Sequence, residues 1–332
     1  MTNTRRSIIA ACAIAATFAA VPAFASGGQK GIYGKDDRVD VVNVTNSTIK
    51  KLTESTVALF KAEDVDSSGK LTLQPFKSSL HESIQLCSDV KFYNQSIGAF
   101  CSGSLIGEDM VMTAGHCVTS AEQCAQTKIV FGFGIRQAGG NTPASVPVSE
   151  VYSCKSVITQ VLDEETKADY AVIRLDRKVT NHKPLALETG AADKSQKVFV
   201  IGHPSGLATK VAANGKVRDD SDPNYYVTNL DTYGGNSGSP VFSQSTYKIV
   251  GILVRGGTDY VLKANSNPQC ITNYVTGEDA GRGEDVTKSS VVVKAVKAAL
   301  AKEKAAAAAV KQPQPKQVNV QAVKDAGALL GR

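Results

Sequence analysis

Apolar residues recur along this chain in short runs, and from about Ile32 to Val275 the runs follow the spacing of strands rather than helices. "DRVDVVNV", "STVALF", "DMVMTAG", "KIVFGFG", "YAVIRL", "KVFVIG", "KIVGILV" and "NYVTG" are rich in β-branched and aromatic residues, and clusters of Gly, Asn, Asp and Pro punctuate them. Many strands without intervening helical repeats predict an all-β domain built from antiparallel sandwiches or barrels. A polar stretch near Arg177 to Ser195 is expected to link two halves. The pattern then changes. "VTKSSVVVKAVKAALAKEKAAAAAVK" sets Val292, Val296 and Ala299/Leu300 at helical spacing, which predicts a helix over 286–310. "QPQPKQ" breaks it, and residues 311–332 read as a flexible basic tail.

The start of the chain is read separately from the fold. "MTNTRR" is basic, "SIIAACAIAATFAAV" is apolar, and "AFA" ending at Ala25 is a small-residue cleavage signature. Residues 1–25 are therefore expected to be a signal peptide, followed by a short propeptide over 26–30 with Lys30 as the processing point. "IAAC" ending at Cys12 sits too close to Arg6 for a lipid-attachment box, and "TRRSII" is only a weak twin-arginine signal. No other apolar run approaches membrane-spanning length, so the protein is expected to be exported, secreted or periplasmic, with no integral membrane segment.

Charge and cysteines refine this. The formal net charge is +6, but from Lys288 onward eight Lys and one Arg face only Glu303 and Asp325, and the leader adds Arg5 and Arg6. The body between is mildly acidic. Without a basic patch interleaved with aromatics, no nucleic-acid partner is expected, and the tail lysines read as a solvated helix face. Beyond the leader there are six cysteines, Cys87, Cys101, Cys117, Cys124, Cys154 and Cys270, an even number that fits three disulfides in an oxidising compartment. Since no Cys-x-x-Cys pair occurs, a zinc site is not expected; no other metal and no cofactor is expected either. "DVDSSGKLTLQP", Asp64 to Pro75, matches a calcium loop at its first, third and sixth positions, but Pro75 stands where a bidentate Glu should close it. A hairpin turn is the expectation there.

Only four histidines are present: His81, His116, His182 and His203. His116 lies in "MTAGHCV", just past a predicted strand. Asp169 opens "DYAVIRL", a run that reads as a buried strand, where an ionised carboxylate needs a partner. Ser237 lies in "DTYGGNSGSPVF", with three glycines around it. Singly, each has an ordinary structural explanation. Together they supply a hydroxyl nucleophile, an imidazole to take its proton, and a carboxylate to fix the imidazole tautomer. The glycines let the Gly235 and Ser237 N–H groups converge on one oxyanion.

"TAGHC", "DYAVIRL" and "GGNSGSP", in the order His, Asp, Ser, resemble the chymotrypsin-like (trypsin-fold) serine endopeptidases, and "GGNSGSP" is similar to the bacterial branch that includes the glutamyl endopeptidases. The resemblance spans about Ile32 to Asp285, with "IYGKDDR" similar to the mature start of bacterial members. It implies two six-stranded antiparallel β-barrels, about 31–180 and 190–285, with the active site between them. It also implies catalytic roles for His116, Asp169 and Ser237, an oxyanion hole from Gly235 and Ser237, and protein or peptide substrates cleaved by a monomer. Finally, it implies a Cys101–Cys117 disulfide, whose loop is worth roughly 3 kcal/mol in the chain-entropy model. Of the three pairings open to the other four cysteines, Cys124–Cys154 with Cys87–Cys270 is the working choice.

The chain departs from the pancreatic pattern at Asn236, which cannot form the ion pair that an aspartate there makes with a freshly cut N-terminus. The implied substrate-binding residues are Asp231, Thr232, Leu253, Val254 and Gly256. A carboxylate at the pocket base, Asp231, would select Arg or Lys before the scissile bond. Leu253 stands where the glutamate-specific branch has a histidine, which argues against acidic selectivity. Arg255 could instead neutralise Asp231 or point to the rim, so glutamate or mixed specificity is the alternative. A non-catalytic binding protein on the same fold is the second alternative. An esterase is disfavoured because Ser237 lacks the Gly-x-Ser-x-Gly elbow. The basic tail could also act on its own as a tether to an acidic surface.

Overall fold

The computed structural model describes residues 31–190 and 193–310. The expected signal peptide, Cys12, Lys30 and the basic tail lie outside the described residues.

Six strands close the first barrel: β1 (Thr56–Lys61), β2 (Cys101–Leu105), β3 (Met110–Thr113), β4 (Thr127–Val130), β5 (Val151–Leu162) and β6 (Asp169–Leu175). Round the barrel they run β6–β3–β2–β1–β4–β5 and back to β6, every pair antiparallel. The second barrel contains β7 (Lys197–Gly202), β8 (Lys210–Asp219), β9 (Tyr225–Thr228), β10 (Pro240–Ser243), β11 (Ile249–Arg255) and β12 (Glu284–Lys288). Its order is β7–β10–β11–β12–β9–β8, closed by the β7–β8 pairing and again antiparallel. Closure leaves neither sheet with a long free edge.

The two barrels share a core because some strands are apolar on both faces. Successive side chains of β7 point to opposite sides. Val198 and Val200 join Val241, Leu253 and Val286 inside the second barrel. Phe199 and Ile201 point the other way, into the cluster that holds Val57, Val111 and Val172 of the first barrel. Phe199 stacks on its cross-strand partner Phe242, ring centroids 4.9 Å apart. This seam is where the site forms.

The C-terminal helix, Ser289–Val310, lies across the seam. Val292 is fully buried, with Val291, Ala295 and Val296 packed beside it. Arg174 of β6 pairs with Glu303 at 2.9 Å, and the Ser289 hydroxyl donates to the Glu188 carbonyl at 2.5 Å. Among the described residues no helix is long and apolar enough to cross a membrane.

Three disulfides are formed: Cys101–Cys117, Cys124–Cys154 and Cys87–Cys270. The first ties β2 to the turn that carries His116. The third joins an excursion before the first barrel's β2 to one after the second barrel's β11. The "DVDSSG" segment is a turn closed on itself, in which Asp66 Oδ1 accepts from the N–H groups of Ser68 and Lys70 and from the Ser68 hydroxyl.

"DRVDVVNV" and "NYVTG" are barely strands. Val39–Asp40 adds two residues to the edge of β8, and Val275–Thr276 pairs in parallel with Ile32–Tyr33. In return, β5 and β8 are long strands with polar stretches that the apolar pattern did not reveal. Truncating Val292 to Ala should cost about 2 kcal/mol, two buried methyl groups plus the space they leave. Denaturant unfolding checks this, and a loss near zero would mean the helix is not part of the cooperative core.

Candidate active site

Asp169 is the first residue of β6 and is 1% exposed. A carboxylate so far from water must be paired. Its Oδ1 accepts the N–H groups of Gly115 and His116, at 2.7 and 3.2 Å. Its Oδ2 accepts Nδ1–H of the His116 ring at 2.8 Å. That bond sets the neutral imidazole tautomer and leaves Nε2 as the basic nitrogen. The Thr287 hydroxyl of the second barrel donates to the Asp169 carbonyl at 2.9 Å, so both barrels fix this residue.

Ser237 lies on the loop between β9 and β10 and lines one cleft with His116, Asp169, Val254, Arg255 and Gly256. The loop is curled by Gly235 and Gly238, whose φ angles of 87° and 88° suit glycine. At Gly238 a Cβ would also lie 2.1 Å from the Ser102 carbonyl oxygen. Among the described residues neither the Gly235 nor the Ser237 N–H makes a hydrogen bond, so both remain available to an external oxygen. Asn236 is buried, and its side-chain oxygen accepts from the Ser239 hydroxyl at 3.1 Å. It is engaged locally, within its own loop.

Ser102 was not legible as a functional residue. Fully buried in β2, it donates its hydroxyl to the Gly235 carbonyl at 2.8 Å and its N–H to the Ser237 carbonyl at 2.8 Å. The hydroxyl also accepts from the His203 N–H at 3.0 Å. One side chain of the first barrel thus fixes the loop of the second. Its neighbour Cys101 drew attention in the sequence, but no local pattern marks a serine that acts across a barrel interface.

The other histidines have structural roles. His182 bonds Glu150 at 2.6 Å and stacks on Phe131. His203 is buried and donates Nδ1–H to the Leu207 carbonyl at 3.0 Å, and burial pushes its pKa down to about 3. His81 is exposed and accepts the Ser83 N–H. Among the described residues, Cys101, His116 and Cys117 are grouped closely enough to suggest a metal site, but both sulfurs are spent on a disulfide.

Asp231 does not face the cleft. Its carboxylate accepts the N–H groups of Tyr33 and Asp37, at 2.8 and 3.0 Å. It lines a separate cavity of about 500 Å³ with Asp36, Asp37 and Glu278, which shares no lining residue with the cleft of Ser237. Burial, reinforced by the neighbouring Asp37 charge, pushes its pKa up to about 8. The expected pocket-base role fails for a physical reason: the carboxylate is turned inward to bind the N-terminal segment. Thr232 is fully buried with its hydroxyl on Glu284 at 2.6 Å, and Leu253 is packed inside the second barrel. Of the five implied substrate-binding residues, Val254 and Gly256 line the cleft. Nor does Arg255 neutralise Asp231; it pairs with Asp285 and approaches Asp169.

Part of this chain is similar to known proteins. Residues 101–252 match the trypsin-like peptidase domain family. The chain is 28% identical over 173 residues to the secreted RxLR effector protein 73 of Plasmopara viticola, covering 48% of this chain and 42% of that protein. It is 28% identical over 232 residues to a glutamyl endopeptidase of Bacillus licheniformis, covering 68% of this chain and 58% of that one. The chain thus spans about half the length of these relatives. A solved Glu endopeptidase in complex with MPD superposes with a TM-score of 0.46 at 16% identity, covering 81% of this chain and 99% of that one. Residues 101–252 thus resemble a trypsin-like peptidase domain, and the chain is similar to a bacterial glutamyl endopeptidase.

Two outcomes follow from the site geometry. Ser102→Ala leaves the Gly235 carbonyl unpaired, which should cost about 1–3 kcal/mol of stability and slow Ser237 acylation by about ten-fold. Acylation at the wild-type rate would show that the loop holds its shape without Ser102. For Asp231 the pKa is raised in the folded state above the ordinary carboxylate value near 3.9. Its contribution is therefore fully present below about pH 4 and is lost as pH rises toward 8. Denaturant unfolding at pH 5 and pH 8 should show Asp231→Asn losing less stability than wild type across that interval. Equal losses would contradict the inward-facing carboxylate.

Proposed function

We propose that this chain is an exported serine endopeptidase. The reading rests chiefly on one observation: His116, bonded to the buried Asp169 carboxylate at 2.8 Å, lines the same cleft as Ser237 on its glycine-curled loop. In the reaction, Ser237 Oγ attacks the scissile carbonyl carbon while His116 Nε2 takes the hydroxyl proton. The carbonyl oxygen becomes an oxyanion bound by the N–H groups of Gly235 and Ser237. His116 then gives its proton to the leaving amine as the C–N bond breaks, which leaves an acyl-enzyme. Water, deprotonated by the same imidazole, hydrolyses the ester and returns the proton to Ser237. Asp169 holds the ring and stabilises the imidazolium.

The specificity reading is glutamate-directed or mixed rather than Arg/Lys. With Asp231 turned away, the charge that would have paired with a basic residue is absent from the cleft. Arg282, its side chain 38% exposed, stands on the cleft wall, and the Bacillus relative bears the name glutamyl endopeptidase. Asp163 and Glu164 at the opposite rim keep the cleft from being wholly basic, which is the reason for the mixed alternative.

A fluorophosphonate probe should label wild-type protein and fail on Ser237→Ala, and His116→Ala should slow labelling by about 10⁴-fold or more. Unlabelled wild type would end the peptidase reading. A peptide library should then be cut after Glu or without a single dominant residue, whereas strict cleavage after Arg and Lys would overturn the specificity alone.

A further inference from the structure

Arg255 closes β11, the strand that borders the cleft, and its side chain is committed inward. Nε donates to the buried Asp285 Oδ2 at 3.2 Å. One terminal nitrogen donates to the Lys167 carbonyl at 2.7 Å, in the turn two residues before Asp169, where Lys167 adopts a left-handed φ of 56°. The other terminal nitrogen lies 3.7 Å from Asp169 Oδ2, the oxygen that also receives the His116 ring. The guanidinium is 28% exposed, with two of its three nitrogens donating to the protein and the third facing Asp169.

We propose that Arg255 is a positioning residue that acts through Asp169. It locks the turn leading into Asp169 and places a fixed positive charge beside the oxygen that orients His116. A guanidinium there supports the carboxylate as the hydrogen-bond acceptor that holds the His116 ring. The charged groups around the pair are few. Asp163, Glu164 and Lys167 come from the β5–β6 loop, and the first two are exposed and screened by solvent. Arg282 and Asp285 come from the start of β12 and the residues before it. Arg282 shares Asp285 with Arg255, its nitrogen 2.5 Å from the same oxygen, so two cations divide one buried anion and leave positive charge facing Asp169.

This inference rests on the peptidase reading, and its test separates the two. Wild type, Arg255→Gln and Arg255→Lys are compared for fluorophosphonate labelling of Ser237 and for hydrolysis of peptides with neutral and acidic residues before the scissile bond. Arg255→Gln should lower kcat about ten-fold with KM nearly unchanged for every peptide. Arg255→Lys, which keeps the charge, should recover most of that loss. An unchanged kcat in Arg255→Gln, or a loss confined to KM for acidic peptides, would overturn the proposal. If wild type fails to label, the peptidase reading fails. The downfield proton resonance of His116 Nδ1–H, followed by NMR, still reads the effect of Arg255 on the bond to Asp169. A shifted or broadened resonance in Arg255→Gln supports its action through Asp169, and an unchanged one refutes it.

Discussion

The architecture turns on a carboxylate that water cannot reach. Asp169 is nearly fully buried at the seam of the two barrels, and an unpaired charge there would cost several kcal/mol. Two backbone N–H groups and one imidazole N–H resolve that cost, and all three come from the Gly115–His116 turn. The turn is itself tied to β2 by the Cys101–Cys117 disulfide. Satisfying Asp169 therefore fixes where His116 stands and which ring nitrogen carries the proton. The proposed chemistry is a consequence of electrostatic housekeeping in the core.

The second barrel meets this arrangement through side chains that cross the seam. Thr287 and Arg255 reach Asp169 and its neighbouring turn, while Ser102 reaches back to the carbonyls of Gly235 and Ser237. The N-terminal segment adds a further brace. Tyr33 and Asp37 bind Asp231 through their N–H groups, and the buried Arg38 guanidinium lies 4.1 Å from the ring centre of Tyr233, just ahead of the Ser237 loop. Elements far apart in sequence thus converge on one short loop. Its glycines can be spared side chains because neighbours hold the backbone in place.

How much of this could be read from sequence depended on whether a feature was local. Strands such as β1, β6, β7 and β11 are apolar on both faces because they lie in or beside the shared core, so their composition announced them. Strands β5 and β8 have exposed polar positions and register shifts, which break simple alternation. His116, Asp169 and Ser237 stood out because their flanking residues form compact patterns. Asp231 did not yield to the same reasoning: whether a loop carboxylate faces a cleft or an N-terminal strap is decided by the strap, about 200 positions away. Ser102 and Arg255 act across the barrel interface, and nothing adjacent to them in the chain records that.

The central claim is that the Ser237 loop presents a nucleophile together with a preformed pair of backbone donors. A crystal structure of the protein inactivated by an uncharged phosphonate examines both at once. The account predicts phosphorus bonded to Ser237 Oγ, with its oxygen about 2.7–3.1 Å from the nitrogens of both Gly235 and Ser237. An adduct on another residue, or a phosphonyl oxygen turned away from both nitrogens, would contradict it.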